Sequence, residues 1–583
     1  MVNFVMMWKL KAKTLCVVLF LGISTLNPSL AADVGDKLIK PNILIILADD
    51  MGYSDLGIMG SEINTPNLDS LASQGTLFTN TNVHVFCTPT RAMLLTGVNN
   101  VAAGIGTMAG EWRGGQKDAP GYETYLSNRV VTVASLLQDD GYETFISGKW
   151  DLGGRQSDAH LPTKRGFDKS WILVEGSSDH FAAIPAIAEL PDVNYRENGK
   201  PVDLPQDFFS SKTFTDKMIG FIEQNKTSDK PFFGYLSFTA PHYPLQAPQE
   251  YIKKYRGAYD QGYKAIRTQR IENMKRRGII AEDFEASDPH PRWPSWDELS
   301  SKHRAFEIAR MEVYAAMIDN MDHHIGRVVQ HLRDIGEYDN TLIIFLSDNG
   351  AEGGNPLDWA DYYVDWAEST FDLSIENTGS RTNYAWTGPQ WAHVSSAPFN
   401  LFKAFPTAGG VRVPMIVSHP TLVKSGKISS DAISVMDVPA TLLEISGISH
   451  PGQEYKGRPV KPIEGQSFAG ALSGKQAADT ADRAMVWEML ARRAVQKGDW
   501  KIIWLEAPWD ENEGWALYNI KDDPAEAQDL SKQHPEVLAD LLMDWEAFVA
   551  ENGVIALDKI KLTYTNEDSH FKWLPKAERE DSK

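Results

Sequence analysis

Cysteine is almost missing from this chain: residues 16 and 87 are the two in 583. So few thiols exclude a small scaffold stapled by disulfides, and they exclude a thiolate-rich structural metal site. Basic residues are also in deficit, with Lys and Arg at 57 against 78 Asp and Glu, for a formal net charge of −21. A surface of that sign repels nucleic acid, and an anionic substrate can enter only through a locally positive pocket. No internal repeat or low-complexity tract is present. The one run that approaches a membrane span, Leu15 to about Leu26, is short for one.

That run has a different meaning. Lys9, Lys11 and Lys13 precede it, and Ser29-Leu30-Ala31 offers a small-x-small cleavage site. Residues 1–31 read as a secretory signal peptide, giving an exported protein, periplasmic or secreted, with no stable membrane insertion after cleavage. Losing those lysines takes the net charge from −21 to about −24. Cys16 leaves with the leader, so the mature chain keeps Cys87 alone. A lone cysteine in an exported protein cannot form an internal disulfide and points to reactivity or modification.

At 42% hydrophobic and 23% charged, the 583-residue chain has the composition of a soluble globular protein, and it is too long for one ordinary core. Asn42–Ala48 and Thr341–Ser347 are continuous apolar runs, as strands buried on both faces of a parallel sheet require. The first ends in Asp49-Asp50 and the second in Asp348-Asn349. The carboxyl ends of such strands are where open α/β sheets build ligand sites. Four oxygen donors without a His/Cys cluster select a hard divalent cation. The expected fold class is α/β, with a main domain over 33–450 and a C-terminal α+β subdomain over 451–583. In the latter, short strands near 486–488, 493–495, 500–504 and 515–518 alternate with turns, and a helix near 535–549 closes the region.

Phe86-Cys87-Thr88-Pro89-Thr90-Arg91 through Gly97 reads as a short helix with a cysteine at its mouth. Thr88 is expected to cap, Pro89 to take the first helical position, and Gly97 to end the helix. Cys87 then lies where the helix end favours an anion, and Arg91 adds a forked donor one turn along. A thiolate phosphatase loop requires a longer spacing than the three residues between Cys87 and Arg91. Lys149 and Asp151 project to the same side if their segment stays extended. Pro241 and Pro244 stiffen a loop that holds His242 at the end of an apolar strand over 231–238.

Other stretches leave alternatives open. Lys253, Lys254, Arg256, Lys264, Arg267, Arg270, Lys275, Arg276 and Arg277 read as solvated helix faces, with recruitment of an anionic polymer as the second reading. The aromatic stretch Trp359, Tyr362, Tyr363, Trp366, Tyr384, Trp386 and Trp391 is either packing or a pocket wall for an apolar leaving group. Val313, Met317, Met321, Ile325 and Val328 mark a core-facing helix, on which His323 and His324 are expected at the surface.

Cys87-Thr88-Pro89-Thr90-Arg91 with Leu95-Thr96-Gly97 resembles the sulfatase signature, and Gly148-Lys149-Trp150-Asp151-Leu152-Gly153 resembles the second signature of that family. Asp151 replaces a histidine there. Ala240-Pro241-His242-Tyr243-Pro244, Lys403 and Gly409-Gly410-Val411-Arg412-Val413-Pro414 continue the match, with Ala408 where glutamate is usual. The resemblance implies a type I sulfatase of alkaline-phosphatase-like fold: a large mixed sheet flanked by helices, with a smaller C-terminal antiparallel sheet. It implies that a maturation enzyme oxidises Cys87 to formylglycine (3-oxoalanine), whose hydrate attacks sulfur. It further implies one cation, calcium with magnesium open, on Asp49, Asp50, residue 87, Asp348 and Asn349. Arg91 and Lys149 would activate the nucleophile, Asp348 would take its proton, and His242 and Lys403 would hold sulfate and assist the leaving group. Asp151 stands where the base for sulfate release is usual. The implied substrate is a small-molecule or saccharide sulfate ester. The alternatives are a phosphoester or phosphonate hydrolase on this scaffold and a sulfated-ligand binding protein without catalysis.

Overall fold

Apolar at every position after the first, Asn42–Ala48 forms β1 at the centre of the main sheet, fully buried. A computed structural model describes residues 40–475, 483–507, 509–510 and 514–557. The signal-peptide reading of residues 1–31 and Cys16 lies outside them. The main sheet has 11 strands. They are β1, β2 (Thr76–Asn82), β3 (Glu143–Lys149), β4 (Lys169–Leu173), β5 (Tyr195–Glu197), β6 (Lys200–Pro201), β7 (Phe232–Ser237), β8 (Thr341–Ser347), β9 (Arg412–Ser418), β10 (Lys427–Ser429) and β11 (Ile433–Ser434). Their spatial order is β10-β2-β9-β8-β1-β7-β3-β4-β5-β6, with β11 also paired to β2.

β1 pairs in parallel with β7 and β8, and β3 does so with β4 and β7. β9 runs antiparallel between β2 and β8, which makes the sheet mixed. Strand alternation splits the core into two layers. Leu44, Ile46 and Ala48 face one side with Leu68, Phe214, Met218 and the 34-residue helix Ser301–Asp334. Ile43, Ile45 and Leu47 face the other with Leu94, Leu95, Leu137 and Leu442. Helices on both faces cover the central strands, as a mainly parallel sheet demands, while β6 and Ile428 of β10 at the edges are exposed.

The C-terminal strands form a separate antiparallel sheet, ordered β14 (Met485–Met489), β15 (Arg492–Lys497), β16 (Trp500–Trp504), β17 (Trp515–Asn519). A two-stranded hairpin, β12 (Glu454–Tyr455) with β13 (Arg458–Pro459), precedes it. Helix Pro535–Asn552 packs Leu541 and Trp545 against Val495, Ile502 and Leu517 of the small sheet. Among the described residues no helix is long and apolar enough to cross a membrane.

Two sequence expectations are corrected here. The basic run is not all solvated: Arg270 is fully buried, bonded to Asp55 Oδ1 at 2.6 Å and to Glu62. Arg267 is buried too, donating to Ser287 and the Pro398 carbonyl. His324 is buried beside Arg327, whereas His323 is exposed as expected. Charge runs reveal composition, and only packing decides which members turn inward.

Candidate active site

Each parallel strand at the centre of the sheet delivers a polar group to the same edge. β1 ends in Asp49-Asp50, β8 in Asp348-Asn349 and β3 in Lys149, and His242 follows β7. β9 runs the opposite way, so the loop before it brings Lys403 to that edge. β2 leads there into helix Cys87–Thr96. Gly148 makes the β3 ending possible: its φ is +113°, and a Cβ would lie 1.8 Å from the Ser237 carbonyl oxygen.

One ligand atom each of Asp49, Asp50, Cys87 and Asp348 lies within 4.8 Å of the others, and all four residues are buried. Asn349 donates Nδ2 to Asp50 Oδ1 at 2.7 Å, while its own Oδ1 is a buried acceptor without a donor among the described residues. Carboxylates and an amide oxygen fit a hard divalent cation of the calcium or magnesium kind. Asp49, Asp50, Asp348, Asn349 and residue 87 are the groups that would hold it.

Cations of the chain surround these carboxylates. Lys149 Nζ reaches Asp49 Oδ1 and Oδ2 at 2.8 and 3.0 Å. Lys403 Nζ reaches Asp50 Oδ2 at 2.8 Å and Glu352 Oε2 at 3.0 Å. Arg91 grips Asp348 Oδ2 through Nε at 2.9 Å and Nη2 at 2.6 Å, and its Nη1 donates to Ser237. The neighbouring aspartates therefore differ. Burial raises Asp49 well above the usual carboxylate range, against the pull of Lys149. Burial acts on Asp50 as well, but Lys403, His242 and Lys149 outweigh it and hold that carboxyl far below the range. Five carboxylates (Asp49, Asp50, Asp348, Glu352 and, 4.0 Å from Lys149, Asp151) meet three basic side chains (Arg91, Lys149, Lys403), so a divalent cation would bring the seat to neutrality and lift its repulsion of an anion.

His242 Nδ1 donates to its neighbour Tyr243 O at 2.7 Å, which turns Nε2 to Asp50 Oδ2 at 3.5 Å. Burial lowers this imidazole to about 3. His180 holds the loop by donating Nε2 to the His242 carbonyl at 3.0 Å.

Residues 41–448 match the family model described as Sulfatase. The chain belongs to the sulfatase family. Residues 402–544 match a second model, N-sulphoglucosamine sulphohydrolase, C-terminal. An uncharacterized sulfatase of Schizosaccharomyces pombe is 41% identical over 528 residues, covering 88% of this chain and 94% of that protein. An arylsulfatase of Klebsiella aerogenes is 38% identical over 440 residues, covering 75% of this chain and 93% of its own. The crystal structure of Ps i-CgsB shares the fold at a TM-score of 0.62 and 23% identity, over 93% of this chain and 99% of that one. The protein is a sulfuric ester hydrolase, and nothing in these matches supports a phosphoester hydrolase or a catalytically silent binding protein.

The sulfatase brings together every site residue expected from sequence, with two local corrections. Helix Cys87–Thr96 starts at the cysteine itself, with Phe86 at the N-cap and no side-chain cap. Thr88 instead donates its hydroxyl to Asp151 Oδ2 at 2.7 Å. Gly97 ends the helix in the left-handed conformation, as expected. Asp151 is not extended, since β3 stops at Lys149 and Asp151 has φ +55°. The turn still leaves Lys149 Nζ 4.0 Å from Asp151 Oδ2. The expected pairing is kept by a different backbone route.

Four contributors to the sulfatase site escaped the sequence reading: Ser237, Glu352, Thr88 as a partner of Asp151, and His180. Each is an ordinary residue type in no spacing of its own. The loop position of Glu352, three residues after Asn349, was the only available signal. The aromatic stretch is mostly packing: Tyr363, Tyr384, Trp386 and Trp391 are buried, while Tyr362 is 51% exposed.

Proposed function

We propose that this sulfatase hydrolyses sulfate monoesters of aromatic alcohols, with residue 87 acting as formylglycine rather than as a thiol. The observation that carries the second part is the seat of Cys87. Its Sγ lies 3.5 Å from Asp50 Oδ1 in a buried cluster with Asp49 and Asp348. Burial, and then the Asp348 charge, push the thiol well above its ordinary range. A thiolate is disfavoured there, whereas an oxygen nucleophile suits the same oxygen-rich cluster. Formylglycine at position 87 would supply that oxygen, and a divalent cation held by Asp49, Asp50, Asp348 and Asn349 would supply positive charge beside it.

The chain's own groups do the rest. Arg91 fixes Asp348 and takes no part in exchange, because its fork is already occupied. Lys149 and Lys403 hold the aspartates and turn their ammonium groups to the ester oxygens when an anion enters. Lys403 donates to the departing alcohol oxygen, and His242 Nε2 faces the same seat. Asp151, less buried than the others at 18% side-chain exposure, takes the proton in sulfate release. Rings continue from His242 through Tyr243 at 4.2 Å to Trp359 at 6.4 Å, and Trp359 lies 5.4 Å from Tyr363. That series is packing, with Tyr243 and Tyr363 buried, and it is the 38% identical arylsulfatase that supports an aromatic leaving group. A protein of similar fold (TM-score 0.59, 19% identity) is solved in complex with its substrate D-glucosamine-2-N,6-O-disulfate, so saccharide sulfates are the comparison class.

Export, resting on the leader-like residues 1–31, and maturation by a formylglycine-generating enzyme complete the proposal. The deciding experiment compares turnover of an aryl sulfate, the matching aryl phosphate and saccharide sulfates, with peptide mass spectrometry of position 87. Aryl sulfate turnover with formylglycine in the peptide is expected, and C87A should lose turnover while keeping its circular dichroism. Unmodified cysteine in fully active protein would overturn the nucleophile, and preference for phosphate or saccharide esters would overturn the substrate.

A further inference from the structure

The loop that carries Lys403 is held from the C-terminal sheet. It is strained, with φ +56° at Leu401 and +73° at Ala404, left-handed values that cost energy for side chains with a Cβ. Two buried ion pairs grip it. Arg492, first residue of β15, pairs with Glu506 at 2.6 Å and donates Nη1 to the Ala404 carbonyl at 2.9 Å, with its guanidinium 3.9 Å above the Phe405 ring. Lys501, in β16, pairs with Glu526 at 2.6 Å, both side chains at 2% exposure or less. Glu526 Oε2 then accepts the backbone N–H of Ala408 at 2.8 Å. Position 408 is where the signature carries glutamate and this chain carries alanine, so a carboxylate reaches that N–H from 118 residues away.

The same sheet touches the nucleophile's approach. Trp487 Nε1 donates to the Val83 carbonyl at 2.7 Å, and the Ala404 N–H donates to the Val85 carbonyl at 2.9 Å. On the far side of the loop the Gly350 N–H donates to the Gly410 carbonyl at 2.9 Å, next to Asn349. A Cβ at Gly350 would lie 2.0 Å from the Gly409 carbonyl oxygen, so this packing is close. Residues 401–411 are therefore wedged between the site and the small sheet.

We infer that Arg492 and Glu526 are positioning residues of the sulfatase reaction: from the C-terminal sheet they fix the strained loop that aims Lys403 at the anion seat. Neither touches the site itself. Arg492 satisfies the carbonyl of the residue after Lys403, and Glu526 satisfies the amide that opens the turn back into β9. The C-terminal sheet is then part of the catalytic apparatus, and its two ion pairs are retained for geometry rather than for stability. Buried pairs with excellent geometry roughly break even in stability against apolar replacements, so positional specificity is the function left to them.

The inference rests on the role proposed for Lys403, and a double-mutant cycle separates the two. The variants are R492K, which keeps the charge but loses the fork, and E526Q, which keeps an acceptor for Ala408 but loses the charge. Each is measured alone and with K403A on an aryl sulfate, with bound cation and circular dichroism followed in parallel. Because misplacing a catalytic group by about 1 Å is costly, each single variant should lower kcat about 10-fold. KM and bound cation should move less, and in the K403A background the further loss should be under about 2-fold. Equal losses in both backgrounds would overturn the inference, since the effect would not pass through Lys403. If R492K fails to fold, E526Q carries the same cycle. Full activity of K403A itself would overturn the Lys403 assignment and the inference with it, whereas wild-type inactivity on every sulfate ester would overturn the functional reading.

Discussion

The Thr88 hydroxyl and the Asp151 carboxylate are joined by a 2.7 Å hydrogen bond, which ties the residue after the nucleophile to the carboxylate standing where a histidine is usual. Asp151 also lies 4.0 Å from Lys149. A carboxylate beside a sulfate seat is tolerated because that ammonium and that hydroxyl face it. It is a weaker base than imidazole.

Sulfate release should therefore be slow. Rapid mixing with an aryl sulfate should show a burst of phenol followed by slower turnover. D151H should raise the steady rate about 10-fold, less than the full effect of a general base, roughly 10²–10⁴-fold, because one base replaces another. Absence of a burst, with D151H unchanged or slower, would show that Asp151 is not the limiting base.

D50A and D348A should each lose bound cation and activity together, because each removes an oxygen donor from the cluster within 4.8 Å. The expected drop in kcat/KM is about 100-fold or more. Chelation of wild type should reproduce it, and adding back calcium or magnesium should reverse it and identify the ion. Full turnover of metal-free protein would refute the site.

R270A should destabilise the fold by about 3–5 kcal/mol, since it strands Asp55 and Glu62 in the interior. Arg270 is fully buried between them, at 2.6 Å from each. Urea unfolding measures it. A loss below about 1 kcal/mol would show that the pair is as weak as a surface one.

Glu488 gives a pH dependence. It is 2% exposed, and beyond the Ala491 backbone N–H its carboxylate finds little hydrogen bonding among the described residues. Burial, opposed by Arg493, pushes its carboxyl up from 4.5 to about 8. The folded state keeps the proton over a range where the unfolded chain releases it. Its contribution is complete below about pH 4.5 and is lost as pH rises through about 8. E488Q should raise Tm at pH 8 by more than at pH 5. An equal Tm change at both values would place the proton elsewhere.

Much of this was legible before any coordinates. Continuous apolar runs identify β1 and β8, because strands buried on both faces need no alternation, and the acids that follow them are local in sequence. β16 matches its expected limits, 500–504, and β14, β15 and β17 lie within two residues of theirs. The Cys87, Lys149 and His242 segments are contiguous motifs, so their chemistry is written in adjacent residues. Where the Cys87 helix starts was not legible, because Thr88 has a more distant partner in Asp151 that competes with capping.

What the sequence by itself determined is the set of chemical groups and the strands that end in them. What only the tertiary structure decided is which group meets which. Lys403 reaches Asp50 across 353 residues of chain, and Arg91 reaches Asp348 across 257. The burial of Arg270 and the grip of Arg492 and Glu526 on the Lys403 loop belong to the same class. Local propensity acts over a few residues. Desolvated ion pairs form only where packing closes out water, and the whole chain must fold before that geometry exists.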